Sequence, residues 1–192
     1  MKIRYHIAIA ALAALTMVGL PLVSISHRWY GAERHQDLHL DVDCYGFRAS
    51  SNRGETYVGF QACVGLLDAI THDDSAAYMV VPITIAEETD WLEALCSTVA
   101  LTTILAELLR LSPLRRSAVN RLATQADVVA AVFGVFALNS ATRLARGLAS
   151  PADQNGRTDV SLAPGLFIII TLPLVALAAA AYTHGPYTAY GT

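Results

Sequence analysis

The chain has 192 residues, of which 54% are hydrophobic and 15% are charged, and its mean hydropathy is +0.44. Soluble domains carry roughly 25% charged residues, and the apolar residues here gather in long runs, so the composition predicts a membrane protein. The formal net charge is −3 and there is no basic block, which excludes the electrostatic footprint of a nucleic-acid-binding protein.

The first apolar run extends without a charge from Ile7 to Ile25, after Lys2 and Arg4. At 1.5 Å per residue a helix over this run would measure about 28 Å, close to the hydrocarbon thickness of a bilayer. A signal peptide cleaved near residues 24–26 is the alternative, although the run is longer than the roughly 7–15 apolar residues of such peptides. We predict a retained first span within residues 1–25.

Three later apolar runs predict further spans. The fold class that follows is an all-α membrane protein, a four-transmembrane-helix bundle with a small extracellular β-hairpin-containing domain. The predicted order is the first span in 1–25, an extracellular domain in 26–90, spans in 91–111, 122–144 and 161–182, connecting loops in 112–121 and 145–160, and a tail in 183–192.

The loop between the second and third spans is basic, with four arginines and no acidic residue over residues 110–121. Short basic loops stay on the cytosolic side. We therefore expect this loop and both termini in the cytosol, residues 26–90 and 145–160 outside, and the protein in the plasma membrane or, alternatively, in the inner membrane of an organelle.

The hairpin is predicted from residues 38–63. Apolar and polar residues alternate from Leu38 to Cys44, as in a half-buried strand, and a turn cluster at 50–54 precedes a second β-prone run. If the hairpin folds about Arg53 and Gly54, residues whose numbers sum to 107 face one another and Cys44 faces Cys63. Opposed cysteines can form a disulfide, which persists in an oxidising compartment. We predict the Cys44–Cys63 disulfide; two buried free thiols in a reducing compartment are the alternative, and Cys96 is left over.

Four residues of this segment are candidate binding residues: His35, His39, Asp41 and Asp43. On a strand they share the face opposite Leu38, which could bind a divalent cation or make a pH-sensitive contact; a solvated strand face is the other interpretation. No catalytic motif such as HExxH, GxSxG or a P-loop occurs in the sequence. We therefore expect no enzymatic activity, no catalytic residue and no cofactor.

Polar residues also occur in or near the later spans. Glu93 and Glu107 lie within one turn of a span end, so both are expected to reach an interface. Asp127 and Asn139 are expected to have structural roles. Small residues four apart, Ala130 with Gly134 and Ala137 with Ala141, would let helices pack closely.

The layout resembles the class of tetraspan proteins that includes the claudins, the peripheral myelin proteins and the amastins. The matching features are a large first extracellular segment, a short basic loop, a shorter second extracellular segment, the pair Cys44 and Cys63, and Trp29 just past the first span. The tryptophan box of these families is absent, since Val42 and Asp43 precede Cys44. The resemblance implies four spans and contacts through the first extracellular segment.

These features predict a non-enzymatic surface protein that makes lateral or cell-to-cell contacts through residues 26–90. Its expected partners are membrane lipids and other membrane proteins, possibly itself. Two alternatives stay open: an accessory subunit of a larger membrane complex, for example a respiratory one, and a small transporter or metal-dependent membrane enzyme.

Overall fold

A computed structural model of the chain describes residues 2–29, 37–44, 46–51, 56–58, 80–112, 116–148 and 156–184. Within these ranges the chain forms helices and a single sheet of strands. The helices are α1 (Lys2–Gly19), α2 (Val80–Leu111), α3 (Arg116–Leu148) and α4 (Pro164–His184). The strands are β1 (Val23–Trp29), β2 (Asp37–Asp43), β3 (Gly46–Ser51), β4 (Thr56–Val58) and β5 (Gly156–Leu162). A mostly helical protein with a small sheet is confirmed.

Three of the described helices are long and apolar enough to cross a membrane: Glu88–Leu111, Ser117–Arg146 and Pro164–Tyr182. The first helix is shorter, with an apolar part from Ile3 to Gly19. It buries residues three or four apart, among them Ile9 and Ala13, while Leu15 and Val18 are each 67% exposed. Exposed aliphatic side chains on a packed bundle are expected where the surrounding solvent is hydrocarbon.

The predicted first span over Ile7–Ile25 is wrong over its last six residues. Helix α1 ends at Gly19, and β1 begins at Val23. Pro21 lies between them and has no backbone N–H to donate to a helix. The apolar residues after Pro21 therefore belong to a strand: Val23 and Ile25 are fully buried in the main core cluster.

The sheet has five strands in the order β4-β3-β2-β1-β5. All described pairings are antiparallel. Strand β1 lies between β2, the next strand in the sequence, and β5, which follows α3. The predicted loop over residues 145–160 is therefore wrong in part, because β5 adds a strand from this region to the sheet. Residues from before α2 and after α3 thus form one sheet.

The predicted hairpin register is also wrong. Strand β3 fills what was predicted as a connection, and it pairs with β2 so that Asp43 lies opposite Gly46. Strand β4 then pairs with β3, with Ser50 opposite Thr56, a sum of 106 rather than 107. Cys44 lies in the tight turn between β2 and β3 and carries a free thiol. The opposed strands that predicted a disulfide are not neighbours in the sheet, and Cys63 lies outside the described residues.

The alternation predicted for β2 is confirmed where side chains are described. Val42 is fully buried and joins Cys44 in the core cluster, whereas His39 is exposed and Asp41 is half-buried. The buried residues of the sheet share one core cluster with residues of α2, α3 and α4, such as Leu92, Leu144 and Leu166.

The helices differ from prediction mainly at their ends. Helix α2 begins at Val80, within the predicted extracellular domain and before the predicted start of the second span at residue 91. Helix α3 begins at Arg116, inside the predicted basic loop. The small residues Ala130, Gly134, Ala137 and Ala141 are all buried, which confirms the predicted packing stripe on α3.

Candidate functional site

The outer face of the sheet carries the predicted binding residues. Directly paired residues of neighbouring strands have their side chains on the same face. The ladder pairs Ser24 with Asp41 and with Ser161, and Ser26 with His39 and with Asp159. These residues define the outer sheet face: Ser24, Ser26, His39, Asp41, Asp43, Asp159 and Ser161.

Side-chain hydrogen bonds cross the outer sheet face from strand to strand. The Ser24 hydroxyl donates to Asp41 Oδ1 at 2.6 Å. His39 Nε2 lies 3.2 Å from the same Asp41 oxygen, and the Ser26 hydroxyl lies 2.9 Å from His39 Nδ1. The result is a polar surface whose groups are held in place while His39 remains 49% exposed.

The order Ser26, His39 and Asp41 resembles the relay of a serine hydrolase. A hydrolase also needs backbone donors aimed at the developing oxyanion. Strand β1 lies between β2 and β5, so its backbone donors are taken by the two ladders.

The predicted set is brought together only in part. His39 Nε2 lies 3.2 Å from an Asp41 carboxylate oxygen, Asp43 is half-buried at the end of β2, and His35 lies outside the described residues. Among the described residues there is no group of three or more His, Cys, Asp or Glu side chains placed to hold a metal ion.

Cys44 lies where the sheet meets α2. Its backbone carbonyl accepts a hydrogen bond of 3.1 Å from the Ser97 hydroxyl. Burial, and after it the negative charge of Asp43, raise the pKa of the Cys44 thiol from 9.0 to about 12. The thiolate is the reactive form of cysteine, so Cys44 has the properties of a packing residue that is inert near neutral pH.

A second polar cluster lies at the end of the bundle opposite the sheet. We call it the buried ion network; its members are His6 of α1, Glu107 and Arg110 of α2, and Asp127 of α3. His6 Nδ1 lies 2.5 Å from Glu107 Oε2. Arg110 bonds Glu107 through one terminal nitrogen and Asp127 through the other. The network ties three helices together.

All four side chains are withdrawn from the surface. Glu107 and Asp127 are fully buried, Arg110 is 2% exposed and His6 is 8% exposed at the side chain. The prediction that Glu107 reaches an interface is therefore wrong, because its carboxylate finds its partners inside the bundle. One oxygen of Asp127, Oδ1, has no hydrogen-bond partner among the described residues. The predicted structural role of Asp127 stays a prediction.

A third polar group lies near the sheet end of the bundle. Arg143 of α3 pairs with Glu88 of α2 at 2.8 Å, and the Ser140 hydroxyl lies 3.1 Å from the same carboxylate. The buried positions of α3 between Asp127 and Ser140 are all small and apolar: Ala130, Gly134 and Ala137. The described α3 face therefore offers no chain of polar groups from one end to the other.

A groove of about 390 Å³ runs between α3 and α4. Its lining is aliphatic except for Thr171, whose hydroxyl donates to the Phe167 carbonyl of its own helix at 2.7 Å. Gly134 lies in this groove beside Ile170. Such a surface suits hydrocarbon and provides no polar contact for a soluble substrate.

Sequence reasoning identified His39 and Asp41 but missed the buried ion network as a unit. The available signal was the spacing of Glu107 and Arg110, three residues apart on one helix, which places opposite charges on one face. Their tertiary partners lie far away in the sequence, as His6 is 101 residues from Glu107.

No protein-family model matches the chain, and no relative is found among the curated proteins.

Proposed function

We propose that the protein is a non-enzymatic, four-span membrane protein of the cell surface that makes lateral or cell-to-cell protein contacts through the outer sheet face. The observation that carries the proposal is a polar sheet face, partly exposed and internally bonded, mounted by its apolar face on a bundle of apolar helices. In this account α1 is the fourth span, and both termini lie in the cytosol.

Charge and burial support the two ends having different roles. At one end Glu107, Arg110 and Asp127 bond to one another inside the bundle, where they can hold helices but cannot meet a partner. At the other end His39 and Asp159 are exposed on the sheet. Interfaces use polar groups that are already held in place, because less side-chain freedom is lost on binding.

Transport is less well supported than contact. A transporter places polar groups along a path near the middle of the membrane. Between Asp127 and Ser140 the buried face of α3 is apolar, and the groove between α3 and α4 is aliphatic. The polar residues of the bundle therefore serve helix packing in this proposal.

Photo-crosslinking in intact cells tests the contact function. A photoreactive amino acid at Ser26 or Asp159 is expected to give discrete protein adducts, because both residues are exposed on the outer sheet face. The same amino acid at Val135, which is 68% exposed on α3, is the matched control and is expected to give lipid adducts.

Two results would count against the proposal. Sheet positions that yield no protein adducts, while the chain is present at the surface in normal amount, would contradict a contact function. Adducts that all co-migrate with one large stoichiometric assembly on native gels would instead identify an accessory subunit.

A further inference from the structure

One exposed face of α3 changes from charged to aliphatic along its length. Arg121, Gln125, Val128, Val132 and Val135 are all exposed, and their spacing of three or four residues places them on one side of the helix. Neither Arg121 nor Gln125 forms a side-chain hydrogen bond or ion pair within the described part of the chain. The three valines line the groove between α3 and α4. This face therefore presents a cation, then an amide, then a hydrocarbon surface.

The groove relates the depth of this face to that of α4. Gly134 lies against Ile170 across the groove, and α3 runs toward β5 whereas α4 runs away from it. Arg121 lies 13 residues before Gly134 and Tyr182 lies 12 residues after Ile170, so both are about 18–20 Å from this contact in the same direction. Tyr182 is 85% exposed, and tyrosine is enriched at membrane–water interfaces. Arg121 therefore lies at the level of an interface.

The spacing along α3 matches the parts of a phospholipid. Gln125 lies about 6 Å along the helix from Arg121, and Val135 lies about 15 Å beyond Gln125. One leaflet of hydrocarbon is also about 15 Å thick, half of a core of roughly 30 Å. A phosphate at Arg121 would place the ester carbonyls near the Gln125 amide and one acyl chain in the groove as far as Val135.

We propose that this face of α3 and the adjoining groove bind one anionic phospholipid, with its phosphate on Arg121 and one acyl chain between α3 and α4. A guanidinium forms charge-assisted and often bidentate hydrogen bonds with phosphate. The sequence has no acidic residue from 111 to 126, so the local charge is complementary to an anionic headgroup. The proposal rests on the membrane location of the protein and goes beyond the protein contacts of the outer sheet face.

Native mass spectrometry of the delipidated full-length protein tests the headgroup contact. Phosphatidylglycerol and phosphatidylcholine with identical acyl chains are titrated separately. The unmodified chain is expected to bind one phosphatidylglycerol about tenfold more tightly than phosphatidylcholine. Arg121→Gln is expected to remove this preference, because the cation is lost from an exposed position without a change in packing. Arg146→Gln, an exposed arginine at the other end of α3, is the matched control and is expected to keep it.

A filled groove tests the position of the acyl chain. Ala131 is half-buried and lines the groove, so Ala131→Phe places a ring where the chain is proposed to lie. We expect this variant to bind both lipids about tenfold less tightly. Ala11→Phe, at an exposed position of α1 away from the groove lining, is expected to leave both affinities unchanged. The free energy of unfolding in lipid-free detergent shows whether each variant keeps its fold.

Three results would overturn the lipid site. They are a phosphatidylglycerol preference that survives Arg121→Gln, unchanged affinities in a folded Ala131→Phe, and uptake of many lipids without saturation at one. If Ala131→Phe does not fold, the comparison of Arg121→Gln with Arg146→Gln still decides the proposal. Loss of the lipid site while crosslinks at Ser26 persist would leave the contact function standing, and loss of those crosslinks alone would leave the lipid site standing.

Discussion

Replacement of Arg110 by methionine is expected to destabilise the folded protein by about 3–5 kcal/mol. Arg110 is the one cation bonded to both Glu107 and Asp127 among the described residues, and both carboxylates are fully buried. Without it, two buried negative charges face each other with no guanidinium between them. The free energy of unfolding, measured by denaturing-detergent titration of the purified protein, reports the loss.

Arg121 provides the matched control, because it is an exposed arginine at the start of the neighbouring helix α3. Arg121→Met is expected to change the free energy of unfolding by no more than about 0.5 kcal/mol. Replacing both partners, Arg110→Met with Asp127→Leu, is expected to recover much of the loss, since removing a whole buried pair costs less than removing half of it. A stability of Arg110→Met equal to that of Arg121→Met would show that the network does not hold the bundle.

Replacement of Gly165 by alanine is expected to destabilise the protein by about 1–3 kcal/mol, the range for added atoms in a packed site. A Cβ at Gly165 would lie 2.5 Å from the Pro21 carbonyl oxygen and 3.0 Å from Leu20 Cβ. The same carbonyl accepts the Gly165 N–H at 3.2 Å, so it cannot retreat without losing that bond. The added methyl group would separate α4 from the link between α1 and β1.

Two other helical glycines make the comparison quantitative. At Gly19 an added Cβ meets nothing within 4 Å, and at Gly134 it meets Ile170 at 3.4 Å, an ordinary contact. Alanine is the better helix former by about 1 kcal/mol in a helix interior, where Gly134 lies, and Gly19, the last residue of α1, has room for the added Cβ. Both Gly19→Ala and Gly134→Ala are therefore expected to be neutral or stabilising in the same titration. A stabilised Gly165→Ala would refute the close approach of α4 to Pro21.

The faces of β2 could be predicted from the sequence because their signal is local. Alternation between Val42 and its polar neighbours is visible in seven residues. Strand β1 could not be predicted from the sequence, because Val23 and Ile25 are apolar like the residues of the preceding helix and Pro21 alone marks the end of that helix. Strand β5 was hidden for another reason: its partner lies far back in the chain, as Ser161 bonds to Ser24 across 137 residues.

The polar groups of the bundle show the same limit. Position near a span end predicted that Glu107 would reach water, and this would hold for a helix considered alone. Arg110 and Asp127 instead give Glu107 a buried place, and that arrangement depends on how three helices meet. Arg110 is also one of the four arginines that predict a cytosolic loop over residues 110–121. Its side chain is buried, and among the described residues of this loop Arg121 is an arginine that remains exposed.

The central claim is that the outer sheet face lies outside the cell and the buried ion network lies toward the cytosol. The direct measurement is labelling of intact cells with a membrane-impermeant maleimide, using His39→Cys on the sheet and Ser117→Cys at the opposite end, with the unmodified chain as background. Both native positions are exposed. We predict that His39→Cys is labelled in intact cells and Ser117→Cys only after permeabilisation. Labelling of both in intact cells, or the reverse order, would contradict the account.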